Sequence, residues 1–275
     1  MRFSGRLLAA PAWVWMGVFF LVPLGIIAVY SLLSKGDYGG VALPVTLSNY
    51  ARCLDPLYLR ILARSAWMAA LATALAAAAG YPLAYFIALH GGQRKNLLLF
   101  LVVLPFWTSF LVRTYAWIFL LRDTGLINTI ALRLGLIDEP WPLLYNDGAV
   151  LVGLVYGFLP LMVLPLYATL ERLDRTLLEA AADLGAGPAA GWLRVTLPLS
   201  RPGLYGGSVL VFVSALGAYI TPDLLGGGKT ILVGTLVQNQ FTTARDWPFG
   251  SAVSLLLMAV VLAALELYRR GEAPA

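Results

Sequence analysis

Residues 171–203 read ERLDRTLLEAAADLGAGPAAGWLRVTLPLSRPG and form a charged interruption between two long apolar runs. Asp174 is a suitable helix N-cap, and good helix formers follow it from Thr176 to Leu184. Gly185 and Gly187 should end this helix. The segment is too polar to cross a bilayer and too short to be a domain. It therefore predicts a helix–turn–helix on a membrane surface.

The second half of this stretch predicts another short helix. Pro188 suits its first position, because that position needs no backbone N–H donor. We expect Leu197-Pro198 to end the helix. Three apolar side chains are available for packing, namely Trp192, Leu193 and Val195. The first helix should carry an apolar stripe made of Leu177, Leu178, Ala181 and Leu184.

The flanking apolar runs indicate an integral membrane protein. Hydrophobic residues make up 60% of the 275 positions and charged residues only 12%, whereas soluble domains carry about 25% charged residues. Spanning a bilayer takes about 20 apolar residues. We expect one transmembrane domain over residues 1–275, with a core at about 61–268 and six spans: Pro11–Leu33, Ala63–Leu89, Leu97–Leu121, Ala149–Leu170, Gly203–Leu225 and Gly250–Tyr268.

The distribution of basic residues predicts the orientation. The first apolar run is too long for a signal peptide and is expected to be retained. Arg and Lys are denser in the segments that lie inside if the N-terminus is inside: Arg2, Arg6, Arg94, Lys95, Arg172, Arg175, Arg194, Arg201, Arg269 and Arg270. Both termini are therefore expected in the cytoplasm.

The charged stretch also carries a family signature. Its pattern resembles the EAA motif of ABC importer permeases, E-A-A-x3-G-x9-I-x-L-P, with valine in place of isoleucine. The resemblance implies an all-α, type I importer (MetI-like) fold, in which residues 174–198 form a cytoplasmic coupling helix that docks on a separate ATPase. The implied coupling residues are Glu179, Ala180, Ala181, Gly185, Val195, Leu197 and Pro198.

Four further stretches are similar to those of spermidine/putrescine importer permeases: Leu47–Leu59, Leu104–Trp117, Gly153–Tyr167 and Arg245–Gly250. The resemblance implies a polyamine or related small organic solute as substrate. It also implies a location in the bacterial inner membrane. The implied partners are a homologous but non-identical second permease, two ATPase copies, and a periplasmic or lipid-anchored binding protein.

Several other functions are disfavoured by the residues themselves. GGGKT at residues 226–230 resembles part of a phosphate-binding loop, but Asp223 stands where that loop needs glycine. We read it as a tight turn and expect no ATPase activity, no catalytic residues and no cofactor bound by this chain, with ATP used by the partner. Cys53 and His90 are single, so no metal site is expected. The positive charge suits membrane ends better than nucleic acid.

Asp223 and Tyr219, at the end of the fifth span, are candidates for the substrate path. Carboxylates and aromatic faces can offset the lost hydration of a polyamine, and Trp107 and Tyr115 are candidates for further aromatic faces. Alternatively, Asp223 meets water or pairs with Lys229. Arg113 is awkward for a cation path and suggests an acid on a partner or a non-polyamine substrate. A secondary transporter or a channel is the rival class.

Overall fold

The computed structural model describes the backbone of residues 5–272 and the side chains of residues 11–263, 265 and 266. The described chain is 77% helical. Arg2, Arg6, Arg269 and Arg270, used above for orientation, lie outside the described side chains. The chain divides into two compact units: residues Met1–Ile61 with Leu236–Ala275, and residues Leu62–Thr235.

The helices of the N-terminal half come first in the chain. They are α1 (Gly5–Met16), a π turn (Gly17–Leu21), α2 (Val22–Ser31), α3 (Ser48–Cys53), α4 (Pro56–Tyr85), a π turn (Phe86–His90), a 3₁₀ turn (Gly92–Arg94), α5 (Lys95–Val103), a 3₁₀ turn (Leu104–Trp107), α6 (Phe110–Leu121) and α7 (Leu126–Arg133).

The helices of the C-terminal half follow. They are α8 (Asp147–Leu170), α9 (Arg175–Asp183), α10 (Pro188–Gly191), a π turn (Trp192–Thr196), α11 (Leu197–Leu216), α12 (Ile220–Gly226), α13 (Val233–Thr242) and α14 (Trp247–Glu272).

A small antiparallel hairpin is the exception to the all-α prediction. Strands β1 (Leu33–Lys35) and β2 (Val41–Val45) pair with Lys35 opposite Val41. Gly39 and Gly40 adopt φ of 92° and 77° in the connecting turn, a region that residues with a Cβ rarely enter. The hairpin was not predicted from the sequence, because its strands have only three and five residues and β1 continues an apolar run.

In the first unit, α14 packs against α2 and α3. Asp246 caps α14 by accepting the Phe249 amide at 3.2 Å, and it also pairs with Arg52 at 3.0 Å. The guanidinium of Arg52 lies 4.2 Å from the centre of the Phe249 ring. Two of the stretches that carry the family resemblance therefore bind each other.

In the second unit, α8 packs against α11, α12 and α6. A Cβ on Gly203 would lie 2.7 Å from the carbonyl oxygen of Pro165, and one on Gly207 would lie 3.0 Å from that of Met162. The backbones of α8 and α11 are therefore in direct contact at two glycines. The buried core around this contact includes Tyr81, Ile87, Met162, Val163, Leu166, Leu170 and Val211.

Three helical runs are long and apolar enough to cross a membrane: Pro11–Ser31, Pro56–His90 and Asp147–Leu170. The count reaches five if each of two bent helix pairs is one span, by length and composition alone. The expected sixth span, Gly250–Tyr268, falls in α14, where Trp247–Ala263 forms a shorter apolar helix. The helical run at the expected second span begins at Pro56, earlier than the predicted Ala63.

The expected third span, Leu97–Leu121, is not one straight helix. Its two parts, Gly92–Trp107 and Phe110–Arg133, meet at 92°. Pro105 lacks an N–H donor, and Thr108 is extended with ψ of 153°. The helical hydrogen bonds therefore stop, and the chain turns before α6 begins.

The fifth span also differs from its predicted bounds, Gly203–Leu225. A helical run from Pro188 to Leu216 is followed by α12 at an angle of 62°. The expectation that Leu197-Pro198 ends a short helix was wrong. The preceding π turn lets the Leu197 amide donate to the carbonyl of Trp192, and this wider turn accommodates the proline.

Candidate functional site

The helical hairpin is formed by residues 171–203 and begins with α9, as the sequence predicts. Asp174 is its N-cap and accepts the Thr176 amide at 3.0 Å. This backbone hydrogen bond holds the pKa of the Asp174 carboxyl below its usual value. The helix ends at Asp183, and Gly185 follows with φ of 82°. The predicted cap and glycine stop are therefore confirmed.

The second arm of the hairpin is the continuous run of α10, the π turn and α11. The Trp192 ring stands edge-on to Tyr81 at 5.7 Å between ring centres. The hydroxyl of Tyr81 lies 2.8 Å from the Ser200 hydroxyl, and both residues are buried. The root of this arm is thus anchored in the core of the second unit.

Helix α9 itself has no buried residue. Of the predicted apolar stripe, Leu178 and Ala181 are half-buried, whereas Leu177 is 46% exposed and Leu184 is 89% exposed. Leu193, on the second arm, is also exposed. Exposed leucines grouped on one short helix and on the arm beside it are typical of a surface that another protein covers.

Two polar contacts tie the turn before α9 and its first residue to the start of α5 and to the π turn after α4. Lys95 Nζ lies 2.5 Å from Glu171 Oε1, and Arg175 Nη2 donates to the carbonyl of Leu89 at 2.9 Å. The hydrogen bond from Lys95, followed by one from Tyr167, lowers the pKa of Glu171. Arg175 satisfies a carbonyl where α4 and its π turn end, the site that favours a cation.

Two recesses flank α9. One of about 220 Å³ is lined by Tyr85, Leu89, His90, Arg175, Leu178 and Glu179. The other, of about 610 Å³, is lined by residues of α8, α9 and α11 and of the turn between α8 and α9, including Arg172, Asp174 and Pro202. Helix α9 is therefore fastened by a few side chains rather than packed along its length.

The residues of the EAA-like pattern fall into two groups. Glu179 and Ala180 are exposed on α9, with Ala181 half-buried and Gly185 at the exposed helix end. Val195, Leu197 and Pro198 are half-buried in the root of the second arm. The EAA-like pattern therefore includes residues of the exposed helix α9 and half-buried residues of the second arm of the helical hairpin.

The candidate substrate-path residues lie on three neighbouring elements. Asp223 is exposed in the first turn of α12, and its amide donates to the carbonyl of Tyr219 at 3.0 Å. Trp107 is 74% exposed at the break before α6, and Tyr115 is exposed on α6. Helix α12 packs against α6. Among the described residues, Asp223 forms no ion pair with Lys229.

The GGGKT segment forms the predicted turn. Gly227 and Gly228 have φ of 57° and 75°. The amide of Lys229 donates to the carbonyl of Gly226 at 3.1 Å. The turn positions Thr230 in a polar cluster that was not predicted from the sequence.

In that polar cluster, Asp147 accepts hydrogen bonds from two distant residues. Arg64 Nη2 lies 2.7 Å and 2.9 Å from its two carboxylate oxygens, and Thr230 Oγ1 donates at 2.6 Å. The cluster joins α4, the start of α8 and the turn after α12. Arg64, Asp147 and Thr230 are far apart in the sequence, so no periodic pattern relates them. The sequence signal was Arg64, an arginine inside the expected second span.

Comparisons with known proteins place these features in context. The model of the family "Binding-protein-dependent transport system inner membrane component" matches residues 80–269. The chain is 43% identical over 258 residues to the spermidine/putrescine transport system permease protein PotB of Salmonella typhimurium (strain SL1344), covering 94% of this chain and 90% of that protein. It is 42% identical to PotB of Escherichia coli (strain K12), covering 94% of each.

A solved structure has a similar fold. The crystal structure of a bacterial alginate ABC transporter, in complex with an alginate pentasaccharide-bound periplasmic protein, contains a chain that matches with a TM-score of 0.73. The match covers 96% of this chain and 93% of that chain at 15% identity. At this identity the likeness extends to the fold alone.

Proposed function

Since this chain belongs to the family of binding-protein-dependent transport system inner membrane components and is a permease subunit of an ABC importer, we propose that it carries spermidine, putrescine or a related polyamine. The identity of 42–43% to PotB proteins over 94% of the chain supports this substrate class. The exposed carboxylate of Asp223 supports it as well, because polyamines are cations.

The exposure of α9 is the observation that carries the proposed mechanism. Helix α9 has uncovered leucines and is fastened at its first residue, Arg175, and in the preceding turn at Glu171, so it is suited to transmit a movement of a docked protein. In this proposal α9 is the coupling helix and residues 174–198 meet the ATPase. Glu179, Ala180, Ala181 and Gly185 form the contact, while Val195, Leu197 and Pro198 pass the movement to α11.

The assembly proposed around this chain is a six-span importer, with residues 1–275 as one transmembrane domain. Each bent pair is one span in this proposal, and α14 supplies the sixth. Both termini and α9 lie in the cytoplasm, where a pair of ATPase subunits binds and hydrolyses ATP. A homologous second permease forms the other half of the path. A periplasmic or lipid-anchored binding protein delivers the substrate, in keeping with the periplasmic protein in the alginate complex.

The decisive experiment is uptake by the complete complex in proteoliposomes. We expect uptake of labelled spermidine or putrescine to require ATP, the ATPase and the binding protein. Uptake that continues without the ATPase would instead indicate a secondary transporter or a channel. ATP-driven uptake of other solutes, with none of polyamines, would contradict the substrate class and leave the importer mechanism intact.

Asp223 tests the proposed path. Asp223→Asn removes the charge and keeps the shape, and we expect on the order of tenfold lower polyamine uptake, the loss that follows removal of one charge pair. Asp138→Asn is the matched control, because Asp138 is also an exposed acid. Equal uptake by the two variants in assembled complexes would remove Asp223 from the path.

A further inference from the structure

Helix α12 carries Asp223, the acid of the proposed path, and packs with its buried side on α8. Thr221 and Leu225 are buried, whereas Asp223 is exposed. A Cβ on Gly153 of α8 would lie 2.5 Å from Leu225 Cδ1 and 2.6 Å from Thr221 Cγ2, so the two helices are in close contact there. A helix of seven residues is not stable alone. The position of Asp223 therefore depends on the contacts that hold α12.

The C-terminal end of α12 is held by Tyr145, which lies just before α8. Its amide donates to the carbonyl of Leu225 at 3.0 Å. A Cβ on Gly227 would overlap the Tyr145 ring, so this ring packs on the turn that follows α12. Tyr145 has φ of 62°, which is uncommon for a residue with a bulky side chain and persists where surrounding contacts enforce it. The segment before α8 therefore fixes the end of α12.

The polar cluster of Arg64, Asp147 and Thr230 holds the turn that follows α12. Thr230 is buried and donates to Asp147 at 2.6 Å, and Arg64 binds both oxygens of the same carboxylate. The next residue of α4, Ser65, accepts the Val233 amide at 2.8 Å where α13 begins. The segment between α12 and α13 is therefore fixed to α4 and to the start of α8.

We propose that Arg64 is a positioning residue for transport. Acting through Asp147 and Thr230, it holds α12 in place and thereby fixes the position of the Asp223 carboxylate. A direct contact between Arg64 and a polyamine is unfavourable, because both carry positive charge. Arg64 therefore contributes to transport through the helix that it holds. The inference rests on the proposed function, in which Asp223 belongs to the path of a cationic substrate.

The ion pair between Arg64 and Asp147 suits a role in geometry rather than in folding. Their side chains are 40% and 47% exposed, and exposed ion pairs contribute little to stability. The distances from Arg64 Nη2 to the two carboxylate oxygens are 2.7 Å and 2.9 Å, so the arginine orients the group that Thr230 binds. We expect loss of the arginine to displace α12 without unfolding the chain.

The first test measures the position of α12 in the complete complex. In a Cys53→Ala background, which removes the single cysteine of this chain, Asp223→Cys supplies a thiol for a water-soluble maleimide. We expect Arg64→Gln to change the labelling rate at position 223 about fivefold. Asp138→Cys, at another exposed acid, is the control and should be labelled at the same rate with and without Arg64→Gln. An unchanged rate at position 223 would overturn the proposal.

The second test measures polyamine uptake in proteoliposomes with loaded binding protein in excess. We expect Arg64→Gln to lower uptake about fivefold, with the basal rate of ATP hydrolysis and the unfolding midpoint unchanged. Arg60→Gln is the matched control, because Arg60 is an exposed arginine one turn earlier on α4. Faster uptake by Arg64→Gln would mean that the freed Asp147 binds the substrate itself, which contradicts the positioning role.

Variants of Thr230 and Asp223 show whether Arg64 acts through α12. Thr230→Val removes the hydroxyl and keeps the shape, so it should lower uptake as Arg64→Gln does. Thr230→Ser keeps the hydroxyl and should retain most of the uptake. Combining Arg64→Gln with Asp223→Asn should lower uptake no further than Asp223→Asn alone. Losses that multiply in the double variant would place the effect of Arg64 elsewhere and overturn the proposal.

These outcomes separate the inference from the proposed function. The labelling rate is measured without any substrate. If the wild-type complex fails to take up polyamines, or Asp223→Asn takes them up normally, the proposed substrate or path is wrong, and a changed labelling rate still shows that Arg64 positions α12. Conversely, normal uptake and an unchanged labelling rate with Arg64→Gln would contradict only the positioning role.

Discussion

The contact between α8 and α11 and the exposed helix α9 are neighbours in the same unit and are held in opposite ways. The first brings two backbones together at Gly203 and Gly207, with side chains buried around them. The second has no buried residue and is held at its start by two polar side-chain contacts. The helix pair is therefore held by buried packing, whereas the surface of α9 is not covered by the described chain.

The largest expected effect comes from filling the helix contact. Gly203→Ala would place a Cβ 2.7 Å from the Pro165 carbonyl oxygen, which the backbone cannot easily avoid. We expect a loss of about 1–3 kcal/mol in the free energy of unfolding, measured by thermal unfolding of the purified complex in detergent.

Gly206→Ala is the matched control for that change. It lies on the same helix, is exposed, and its nearest neighbour, Pro165 Cβ, would be 3.9 Å from the new Cβ. We expect it to leave the unfolding midpoint unchanged or slightly raised. Equal destabilisation by the two changes would show that the α8–α11 contact is not the stabilising one.

A smaller effect on stability, with a larger one on function, is expected at the end of α9. Gly185 has φ of 82°, so Gly185→Ala strains the backbone by about 1 kcal/mol although its surroundings are open. We expect a small change in the unfolding midpoint, together with reduced recovery of the ATPase and reduced ATP-driven uptake.

Gly187→Ala provides the comparison for Gly185. Gly187 also has open space around it, but its φ of −67° suits alanine. We expect this variant to bind the ATPase and transport normally. Equal losses by both variants would indicate that the surface at this bend, rather than its backbone conformation, matters.

The smallest expected effect concerns the tie between Lys95 and Glu171. The pKa of Glu171 is lowered, so the stabilisation from its ionised form is present at neutral pH and is lost only as pH falls through that lowered value. We therefore expect the coupling of ATP hydrolysis to uptake not to change with the protonation of Glu171 between about pH 6 and pH 8.

Exchange of the pair tests the same tie without acid. The single changes Lys95→Glu and Glu171→Lys should each lower uptake per ATP hydrolysed, and the double exchange should recover part of it. The unfolding midpoint should hardly move, because both side chains are exposed. Additive losses in the double variant would mean that the two residues act separately.

The sequence by itself determined the membrane class, the family and the helical hairpin of residues 171–203, with its N-cap and its glycine stop. These features are local or compositional: Asp174 reaches an amide two residues away, Gly185 sets its own φ, and an apolar run needs no partner to be recognised. The bounds of Asp147–Leu170 were predicted to within two residues for the same reason.

Only the tertiary structure decided the bends and the long-range ties. The 92° break after Trp107 and the continuous helix through Pro198 were not predicted, because a proline only removes a backbone donor and leaves open whether the chain bends or a π turn accommodates it. The pairs Arg64–Asp147 and Arg52–Asp246 join positions far apart in the chain. Charge pairing across such separations depends on the distance between side chains after packing, and a single sequence does not encode that distance in any local pattern.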